Sequence, residues 1–368
     1  MNLKHTGYIL ESQTSSDQDK ERSLITTIIP TFRRPKMLKR AIQSVVDQNI
    51  EGLTIGVFDN NSGDETSQIV HEFSQKKTNV SYHKHHTNIG ASNNFEFGLR
   101  SVTTPFFSIL SDDDYLLPGF YQSALAELAQ NPQAMFWAGI TINVDEKNII
   151  WDARVERWKR EGLFTPPEGL MNIMHGMSPT WTGIVFRQEV LEKVGFPDQE
   201  TLGPSDLDFV LKIVANYPYI VRKYPSAVFT LNECSFSNTQ PLSSFWPGWK
   251  KMFQNLEITI QHYDAPQKKR AIDALNQDAQ RMLYRRGAHA ISCGRLDFSR
   301  DAANVLQTHY KQNYKAGILL VISFLCEKFP FIQKFYTNLY KQAEKSIRAK
   351  KRSIQNKYKH LLRPLSLD

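Results

Sequence analysis

The sequence predicts an α/β fold in which helices flank a mostly parallel central sheet, with a helical extension in the C-terminal part. Two observations support this prediction. Between residues 24 and 118, short apolar and β-branched segments alternate with segments whose apolar residues recur at helical spacing. Such alternation is typical of βαβ units, whose strands lie parallel in one sheet. From Phe245 onward, the pattern changes to successive helices rich in Lys, Gln and Ala.

The first βα unit shows the pattern clearly. Residues 24–29 are mainly β-branched, which favours a strand, and Pro30 stops it. After a short loop, Pro35 suits the first turn of a helix that carries an apolar stripe. Residues 151–167 are predicted to be an irregular loop, whose aromatic rings either stack on a ligand in a crevice or pin the loop to the surface. The other elements are predicted as strand 53–58, helix 65–74, strand 80–83, a helix through Asn94 and Leu99, strand 106–110, helix 118–130 and strands within 134–144.

Polar residues follow four of the predicted strands at the point where each strand ends. The four loops are 30–33, 59–64, 88–94 and 111–114. Because the carboxyl ends of parallel strands meet at one edge of a sheet, these loops are expected to converge on one crevice. Neither G-x-G-x-x-G after the first strand nor G-x-x-x-x-G-K-[ST] occurs, so neither a Rossmann dinucleotide site nor a P-loop is supported.

The loop 111–114 carries three consecutive carboxylates, Asp112, Asp113 and Asp114. Carboxylates this close raise one another's pKa unless a cation neutralises them. Hard oxygen ligands suit Mg²⁺ or Mn²⁺, which commonly bridge carboxylates to a substrate phosphate. The alternative is an acidic turn that caps the helix beginning near Pro118.

Composition describes an ordinary globular protein and favours one compartment. The 368 residues suit one large domain and a smaller one. No apolar span is long enough to cross a bilayer, and residues 1–22 lack the apolar core of a signal peptide. Three scattered cysteines argue for a reducing cytoplasm and against a structural zinc site. The net charge of +8 suggests an anionic partner such as a nucleotide, a phosphate or an anionic lipid.

Five ordered blocks of this sequence resemble the family 2 glycosyltransferases. They are TIIPTFRRP (27–35), SVVDQ (44–48), FDNNSGD (58–64), NIG (88–90) with Asn94, and LSDDD (110–114) with Pro118. The resemblance covers residues 24–237, and five blocks in order are far more specific than one motif. It implies a Rossmann-like GT-A fold, a nucleotide-diphosphate-sugar donor and inversion at the anomeric carbon.

The resemblance also implies roles for residues on the donor side. Asp59 is similar to the family's base-binding aspartate, and residues 112–114 are similar to its D-x-D metal motif. Asp112 and Asp114 are the ligands that we expect for Mg²⁺ or Mn²⁺, although Ser111 stands where many members carry an aspartate. The residues implied in nucleotide-sugar binding are Pro30, Thr31, Arg33, Asp59, Asn88, Gly90, Asn94, Asp112 and Asp113.

Residues 179–187 and 194–197 again follow the family's pattern for the acceptor half. Asp206, at the start of a predicted helix, is similar to the family's general base. Asp208 is the alternative candidate for this role. Residues two positions apart on a helix do not share a face, so only one of the two aspartates can point into the crevice. Relatives often carry a histidine near residues 229–237 that helps to bind the metal, and this chain has none. The expected acceptor-binding residues are Trp181, Thr182, Gly183, Asp208 and Trp246, the last because it could close over the acceptor.

The predicted organisation has three parts: a flexible tail (1–23), a GT-A catalytic domain (24–240) and a helical region (241–368). The catalytic domain divides into a nucleotide-sugar half (24–118) and an acceptor half (119–240). The helical region ends in a basic amphipathic tail that could lie on anionic lipid. The alternative is that the tail packs on the catalytic domain and keeps its basic face in solvent. No nucleic-acid recognition motif accompanies the charge. The apolar stripe of the tail is Tyr340, Ala343, Ile347, Ile354, Tyr358 and Leu361.

Together these features predict an inverting, metal-dependent glycosyltransferase that moves a sugar to a hydroxyl of a glycan or lipid-linked acceptor. Bacterial surface polysaccharide synthesis in the cell envelope is the expected setting. We expect a cytoplasmic protein, peripheral at the inner face of the plasma membrane. The alternative is a catalytically silent sugar-nucleotide or glycan-binding scaffold of an assembly complex. Ser111, Ser205 and the absent histidine suggest the scaffold, whereas three retained aspartates and Asp206 favour the enzyme.

Overall fold

The computed structural model describes the backbone of residues 8–9 and, in addition, residues 23–76, 79–231 and 240–363. Within these residues, eleven strands form one sheet. Most of the predicted N-terminal tail lies outside the described residues. The strands are β1 (Tyr8–Ile9), β2 (Ile25–Thr31), β3 (Leu53–Asp59), β4 (Val80–Lys84), β5 (Phe106–Ile109), β6 (Tyr115–Leu116), β7 (Phe136–Asp145), β8 (Ile150–Arg154), β9 (Gly162–Phe164), β10 (Ile184–Arg187) and β11 (Tyr219–Leu231).

The sheet has a parallel half and a mixed half. Its order is β1-β4-β3-β2-β5-β10-β7-β11-β6, with β8 beside β7 and β9 beside β11. The strands β4, β3, β2 and β5 are parallel, as the βαβ pattern predicts. Beyond them, β10 is antiparallel to both of its neighbours, whereas β7 and β11 are parallel to each other. The α/β architecture is confirmed, and its parallel half carries the four polar loops.

Helices cover both faces of this sheet. They are α1 (Pro35–Val46), α2 (Thr66–Gln75), α3 (Ala91–Arg100), α4 (Phe120–Gln130), α5 (Glu168–Ile173), α6 (Glu189–Val194), α7 (Ser205–Val214), α8 (Leu242–Thr259), α9 (Ala265–Ser292), α10 (Leu296–Thr308), α11 (Asn313–Lys328), α12 (Pro330–Lys350) and α13 (Arg352–Tyr358). The alternation along β2 sends Ile25 and Ile29 into the core beneath α1, while Ile28 points into the core on the other face. No helix among the described residues is both long enough and apolar enough to span a bilayer.

Residues 151–167 are more regular than the predicted irregular loop. They include most of β8 and all of β9, which extend the sheet beside β7 and β11. Trp158 and Phe164 are buried and pack edge to face, with ring centroids 5.0 Å apart. Phe164 also stacks on Tyr219 at 5.5 Å. These two rings therefore belong to the core, and they are not a platform for a sugar.

The helical region (241–368) packs on residues 24–240, which we call the catalytic half, and shares its core. One continuous apolar cluster contains Ile28 of β2, Phe209 of α7 and Leu283 of α9. Trp246 on α8 is 7% exposed and packs against the rings of His309 and Tyr310. These contacts place Trp246 in the packing of the helical region, and its expected closure over an acceptor stays a prediction.

The C-terminal tail is also a packing element. Tyr358 is buried, and its hydroxyl donates to Glu156 Oε2 at 2.6 Å, next to the end of β8. Lys357 Nζ lies 2.7 Å from Glu156 Oε1. Ile354 and Leu361 pack on the same core. The C-terminal part of the stripe (Ile354, Tyr358 and Leu361) thus packs on the core, as in the alternative prediction, whereas Ile347 is 54% exposed.

Candidate active site

Hydrogen bonds join the four polar loops to one another. Thr31 Oγ1 donates to Asp112 Oδ2 at 2.8 Å, which ties the first loop to the acidic loop. The backbone N–H of Arg33 donates to Ser62 Oγ at 2.9 Å, which ties the first loop to the second. Asn60 Nδ2 donates to Asn88 Oδ1 at 2.9 Å, which joins the second loop to the third. The strand-end loops therefore meet in one crevice, as the sequence predicts.

Asp59 organises the second loop from within. It is 1% exposed, and its Oδ1 accepts from both the backbone N–H and the hydroxyl of Ser62. Its Oδ2 accepts from the Tyr82 hydroxyl at 2.7 Å. Burial raises the pKa of Tyr82, and the bond to Asp59 adds to this rise. Asp59 is therefore a buried carboxylate that the second loop and Tyr82 hold in place.

The third loop is held from beneath. Asn94 is buried, and its Nδ2 donates to the Phe58 carbonyl while its Oδ1 lies 3.0 Å from His85 Nε2. Asn88 Oδ1 also accepts from the N–H of Gly90, which has a φ of +86° that suits glycine. Asn94 therefore positions the loop from inside, and Asn88 and Gly90 form its exposed surface.

Asp112 and Asp113 both form ion pairs with the guanidinium group of Arg34. Arg34 Nη1 lies 3.1 Å from Asp112 Oδ1 and 2.7 Å from Asp113 Oδ2. Burial and the neighbouring charge of Asp113 raise the pKa of Asp112 to about 6, against the opposing effect of Arg34 and Thr31. The two carboxylates thus converge on a position where a positive charge is stable.

Asp114 lies on the inner side of the same loop. It is fully buried, its Oδ2 accepts from Thr182 Oγ1 at 2.6 Å and its Oδ1 accepts from the N–H of Thr230 at 2.8 Å. Burial, followed by the charge of Asp113, raises the pKa of Asp114 well above its ordinary value. Asp114 thus joins the acidic loop to β11 and to the segment before β10.

These contacts test how the acidic loop fits a divalent cation. Mg²⁺ is usually held by one or two carboxylates together with substrate phosphates. Asp112 and Asp113 could supply these carboxylates if Arg34 moved aside. Arg34 is one-third exposed, so its side chain has room to move. Both oxygens of Asp114 already accept bonds from the chain, whereas Asp112 and Asp113 share one cationic side chain. This arrangement suits a metal on Asp112 and Asp113, and the expected pair Asp112 and Asp114 stays a prediction.

A cleft of about 270 Å³ opens beside the acidic loop. This volume is close to the lower end of the ~300–1,000 Å³ typical of small-molecule sites. Its lining includes Ser111, Trp181, Thr182 and Asp206. Trp181 packs against Phe95 with ring centroids 5.2 Å apart, and its Nε1 donates to the Asp206 carbonyl at 3.1 Å. Trp181 thus holds the start of α7 at the cleft wall.

Asp206 and Asp208 point in different directions, as their spacing on α7 requires. Asp206 is exposed to the cleft. The walls of the cleft limit the hydration of its carboxyl, and this desolvation raises the pKa of Asp206, while the N–H of Leu207 and the charge of Arg154 oppose the rise. Asp208 is 1% exposed and pairs with Lys212 Nζ at 2.7 Å and Asn255 Nδ2 at 3.0 Å. Asp208 is therefore a core ion pair outside the cleft, contrary to its expected acceptor role.

Gly183 is required for packing. A Cβ atom at this position would come within 2.4 Å of Thr141 Oγ1 and 3.3 Å of the Gly139 carbonyl. Gly183 ends a short 3₁₀ turn from Trp181 and leads into β10. The glycine lets this turn sit tightly on β7, which sets the positions of Trp181 and Thr182.

The structure adds residues that sequence reasoning missed. Arg34 lies in the block TIIPTFRRP (27–35), but nothing in the neighbouring sequence predicts that it pairs with Asp112 and Asp113. Arg40 Nη2 donates to the Asp113 carbonyl at 2.5 Å, and its guanidinium lies over the Tyr115 ring. Arg154 stands within electrostatic reach of Asp206, although it lies in a stretch without a motif.

Residues 26–195 match the family model described as Glycosyl transferase family 2. This stretch contains the four polar loops, and Asp206 lies beyond its end. The predicted resemblance to this family is confirmed.

Two curated relatives extend this likeness. The chain is 34% identical over 107 residues to a GalNAc(5)-diNAcBac-PP-undecaprenol beta-1,3-glucosyltransferase of Campylobacter jejuni, covering 29% of this chain and 33% of that protein. It is 22% identical over 250 residues to an uncharacterized glycosyltransferase of Rickettsia prowazekii, covering 64% of this chain and 74% of that protein. The chain therefore matches about one third of the length of the first relative and three quarters of the second.

Solved structures show the same fold. The complex of S. aureus TarS 1-349 with UDP-GlcNAc has a TM-score of 0.54 and 18% identity, and the match covers 78% of this chain and 92% of that chain. The complex with UDP has a TM-score of 0.52 and 17% identity, with 87% and 92% covered. At this identity the likeness concerns the fold, and the predicted GT-A fold is confirmed.

Proposed function

We propose that this protein, whose residues 26–195 match the model of Glycosyl transferase family 2, transfers a sugar from a nucleotide-diphosphate donor to an acceptor hydroxyl, with inversion at the anomeric carbon. The observation that carries the proposal is that Ser111, at the start of the acidic loop, and Asp206 line one cleft. The donor would lie along the four joined loops, and the acceptor would lie against Asp206.

The donor side would use residues whose positions the loops already fix. Asp59 would accept a hydrogen bond from the base, and Arg33, whose side chain is exposed, would contact the phosphates. Asp112 and Asp113 would hold Mg²⁺ or Mn²⁺, whose charge neutralises the donor diphosphate when it is bound. Pro30, Thr31 and Asn94 would shape the site from beneath.

Asp206 would act as the general base. Its carboxylate faces the open cleft, where it could accept a proton from an acceptor hydroxyl as that oxygen attacks the anomeric carbon. A pKa raised by burial makes it a stronger base than an ordinary aspartate. Attack from the side opposite the departing diphosphate would invert the configuration. Placement of both sugars in one cleft would supply a further part of the rate.

The acceptor would be a glycan or a lipid-linked glycan of the cell envelope. The Campylobacter relative is named for a glycan linked to PP-undecaprenol, which supports this class. Trp181 and Phe95 present aromatic surface to the cleft, and such surface packs well against sugar C–H groups.

We also propose that the protein works at an anionic membrane surface, through a face that we call the aromatic corner: Phe324, Phe329, Phe331 and Phe335. Phe331 is 71% exposed and Phe335 is 68% exposed, although both are large apolar side chains. The corner joins α11 to α12, and Lys328 and Lys334 lie beside it. Exposed rings flanked by lysines are typical of surfaces that bind anionic lipid. We propose this face, in place of the stripe of the tail, as the lipid-binding surface, because Ile354, Tyr358 and Leu361 of that stripe pack on the core.

The substitution Asp206→Asn tests the catalytic proposal. Asparagine keeps the shape but cannot accept the proton, so transfer is expected to fall by roughly 10²–10⁴-fold, the usual contribution of a general base. Binding of the donor, with UDP-GlcNAc as the first candidate, should be unchanged in calorimetry. Asp297→Asn makes the same chemical change at a site whose side chain is 98% exposed and should keep full activity. Full activity in Asp206→Asn would refute the assignment.

Removal of the divalent cation tests the donor side. EDTA is expected to stop transfer, because the donor diphosphate would then face Asp112 and Asp113 without a neutralising charge. Added Mg²⁺ or Mn²⁺ should restore the rate. Undiminished transfer in EDTA would remove the metal from the mechanism.

A further inference from the structure

Two arginines converge on one carbonyl oxygen beside the cleft, and we call Arg154 and Arg157 the arginine pair. Arg154 Nη1 donates to the Gly176 carbonyl at 3.0 Å, and Arg157 Nη2 reaches the same oxygen at 3.4 Å. From Gly176 the chain runs on to Thr180, which lines the cleft. The charge of Arg154 also reaches Asp206. The arginine pair therefore stands next to the proposed base, in the acceptor half of the molecule.

The surroundings of the arginine pair leave it with excess positive charge. Asp152 Oδ2 lies 3.6 Å from Arg157, but Asp152 also pairs with Lys351 at 3.4 Å. In the part of the chain that the structure describes, no carboxylate forms an ion pair with Arg154. Burial lowers the pKa of Arg154, the charges of Asp152 and Asp206 oppose this change, and the repulsion of Arg157 and Arg285 adds to it.

Arg154 also has donor capacity that the described residues do not use. Its Nε is buried and has no hydrogen-bond partner within the described ranges. A buried donor without a partner is rare in folded proteins and indicates that water or a ligand completes it. Arg157 is about half exposed, so its guanidinium can meet a ligand that arrives from solvent.

We propose that the arginine pair, assisted by Arg285, binds a phosphate or diphosphate group of the acceptor. This inference rests on the proposed function, because that proposal places the acceptor at Asp206. Guanidinium groups match the oxygens of phosphate in a bidentate manner. The donor diphosphate belongs beside Asp112 and Asp113, so a second basic site on the acceptor half serves a second anion. An anion held there would fix the acceptor hydroxyl relative to Asp206.

Binding of inorganic pyrophosphate to the full chain tests this site. The calorimetry is done in EDTA, which removes divalent cations. Asp112 and Asp113 then repel pyrophosphate, so the anion does not bind on the donor side. Arg154→Gln/Arg157→Gln is expected to weaken pyrophosphate binding at least tenfold. Arg157→Gln alone should weaken it severalfold, and this half-exposed residue can be changed without loss of folding. Lys159→Gln removes one exposed charge from the same segment and should leave the affinity unchanged.

A second ligand identifies the source of the anion. Pyrophosphate represents the diphosphate of a lipid carrier, and glycerophosphoglycerol represents the phosphodiester of a polymer. Tighter binding of either ligand through the arginine pair supports the site and assigns its class. Equal affinity of wild type and both variants for both ligands would overturn the proposal. The readout does not need turnover, so a chain that binds pyrophosphate here but transfers no sugar would refute only the proposed function.

Discussion

Three consecutive aspartates have different surroundings because their side chains meet different parts of the fold. Asp112 and Asp113 share Arg34, whereas Asp114 is enclosed by Thr182 and Thr230. The two threonines are 68 and 116 residues away in sequence. The motif alone predicts an acidic loop near a cation. The different surroundings of the three aspartates depend on contacts with residues that are distant in sequence, and the local sequence pattern does not predict these contacts.

The pH dependence of transfer is expected to reflect Asp206. Burial in the cleft raises the pKa of this carboxyl above the ordinary value of 3.8. A general base acts in its ionised form, so kcat/KM should be full above the folded-state pKa and fall as the pH drops through it. The acidic limb of the profile is therefore expected at a higher pH than an ordinary aspartate would give. The measurement is kcat/KM as a function of pH at constant ionic strength.

Arg154 supplies the control for this profile. Its positive charge favours the ionised form of Asp206, so Arg154→Gln should move the acidic limb to still higher pH. Lys159→Gln should leave the limb in place. A limb that does not respond to Arg154→Gln would mean that another group is the base.

At the scale of helices and strands, the sequence predicts an element well where the element is long enough to show a clear apolar pattern. The strands β2, β3 and β5 are buried and apolar, and the intervening helices carry apolar stripes, so their order could be predicted. The strands β8 and β9 are short and join the edges of β7 and β11. Their periodicity is too brief to recognise, and only the completed sheet shows that residues 151–167 belong to it.

The aromatic corner gives a prediction for α11 and α12. Phe331→Asn/Phe335→Asn is expected to reduce partitioning to phosphatidylglycerol-containing vesicles at least tenfold, because burying one phenylalanine is worth about 1.5–3 kcal/mol. The thermal unfolding midpoint should stay the same, since both side chains are exposed. Cosedimentation with vesicles measures the first quantity, and circular dichroism measures the second.

A matched substitution separates lipid binding from a general loss of apolar surface. Ile258→Asn changes an exposed apolar side chain on α8 and should not affect partitioning. If Phe331→Asn/Phe335→Asn leaves partitioning unchanged but abolishes self-association, the aromatic corner binds a second copy of the chain. That result would contradict the membrane proposal.

At the scale of the whole molecule, the predicted boundary near residue 240 separates two patterns of sequence that share one core. The apolar cluster runs from β2 through α7 into α9 and α10. A change from βαβ units to helices is visible in the sequence, whereas the sharing of a core depends on which faces meet in three dimensions. The residues of the helical region therefore contribute to the stability of the catalytic half.

This shared core predicts that the described chain unfolds as one unit. Leu283 on α9 is fully buried, so Leu283→Ala should lower the free energy of unfolding by about 2–5 kcal/mol. The loss should appear equally in the hydrogen exchange of β2 and β7, although neither strand contains the substitution. Leu339→Ala makes the same change at a half-exposed position and should cost less than about 0.5 kcal/mol. If Leu283→Ala speeds exchange in α9 and α10 while β2 and β7 stay protected, the helical region is a separate folding unit, because a cavity in a common core must weaken every strand that unfolds with it.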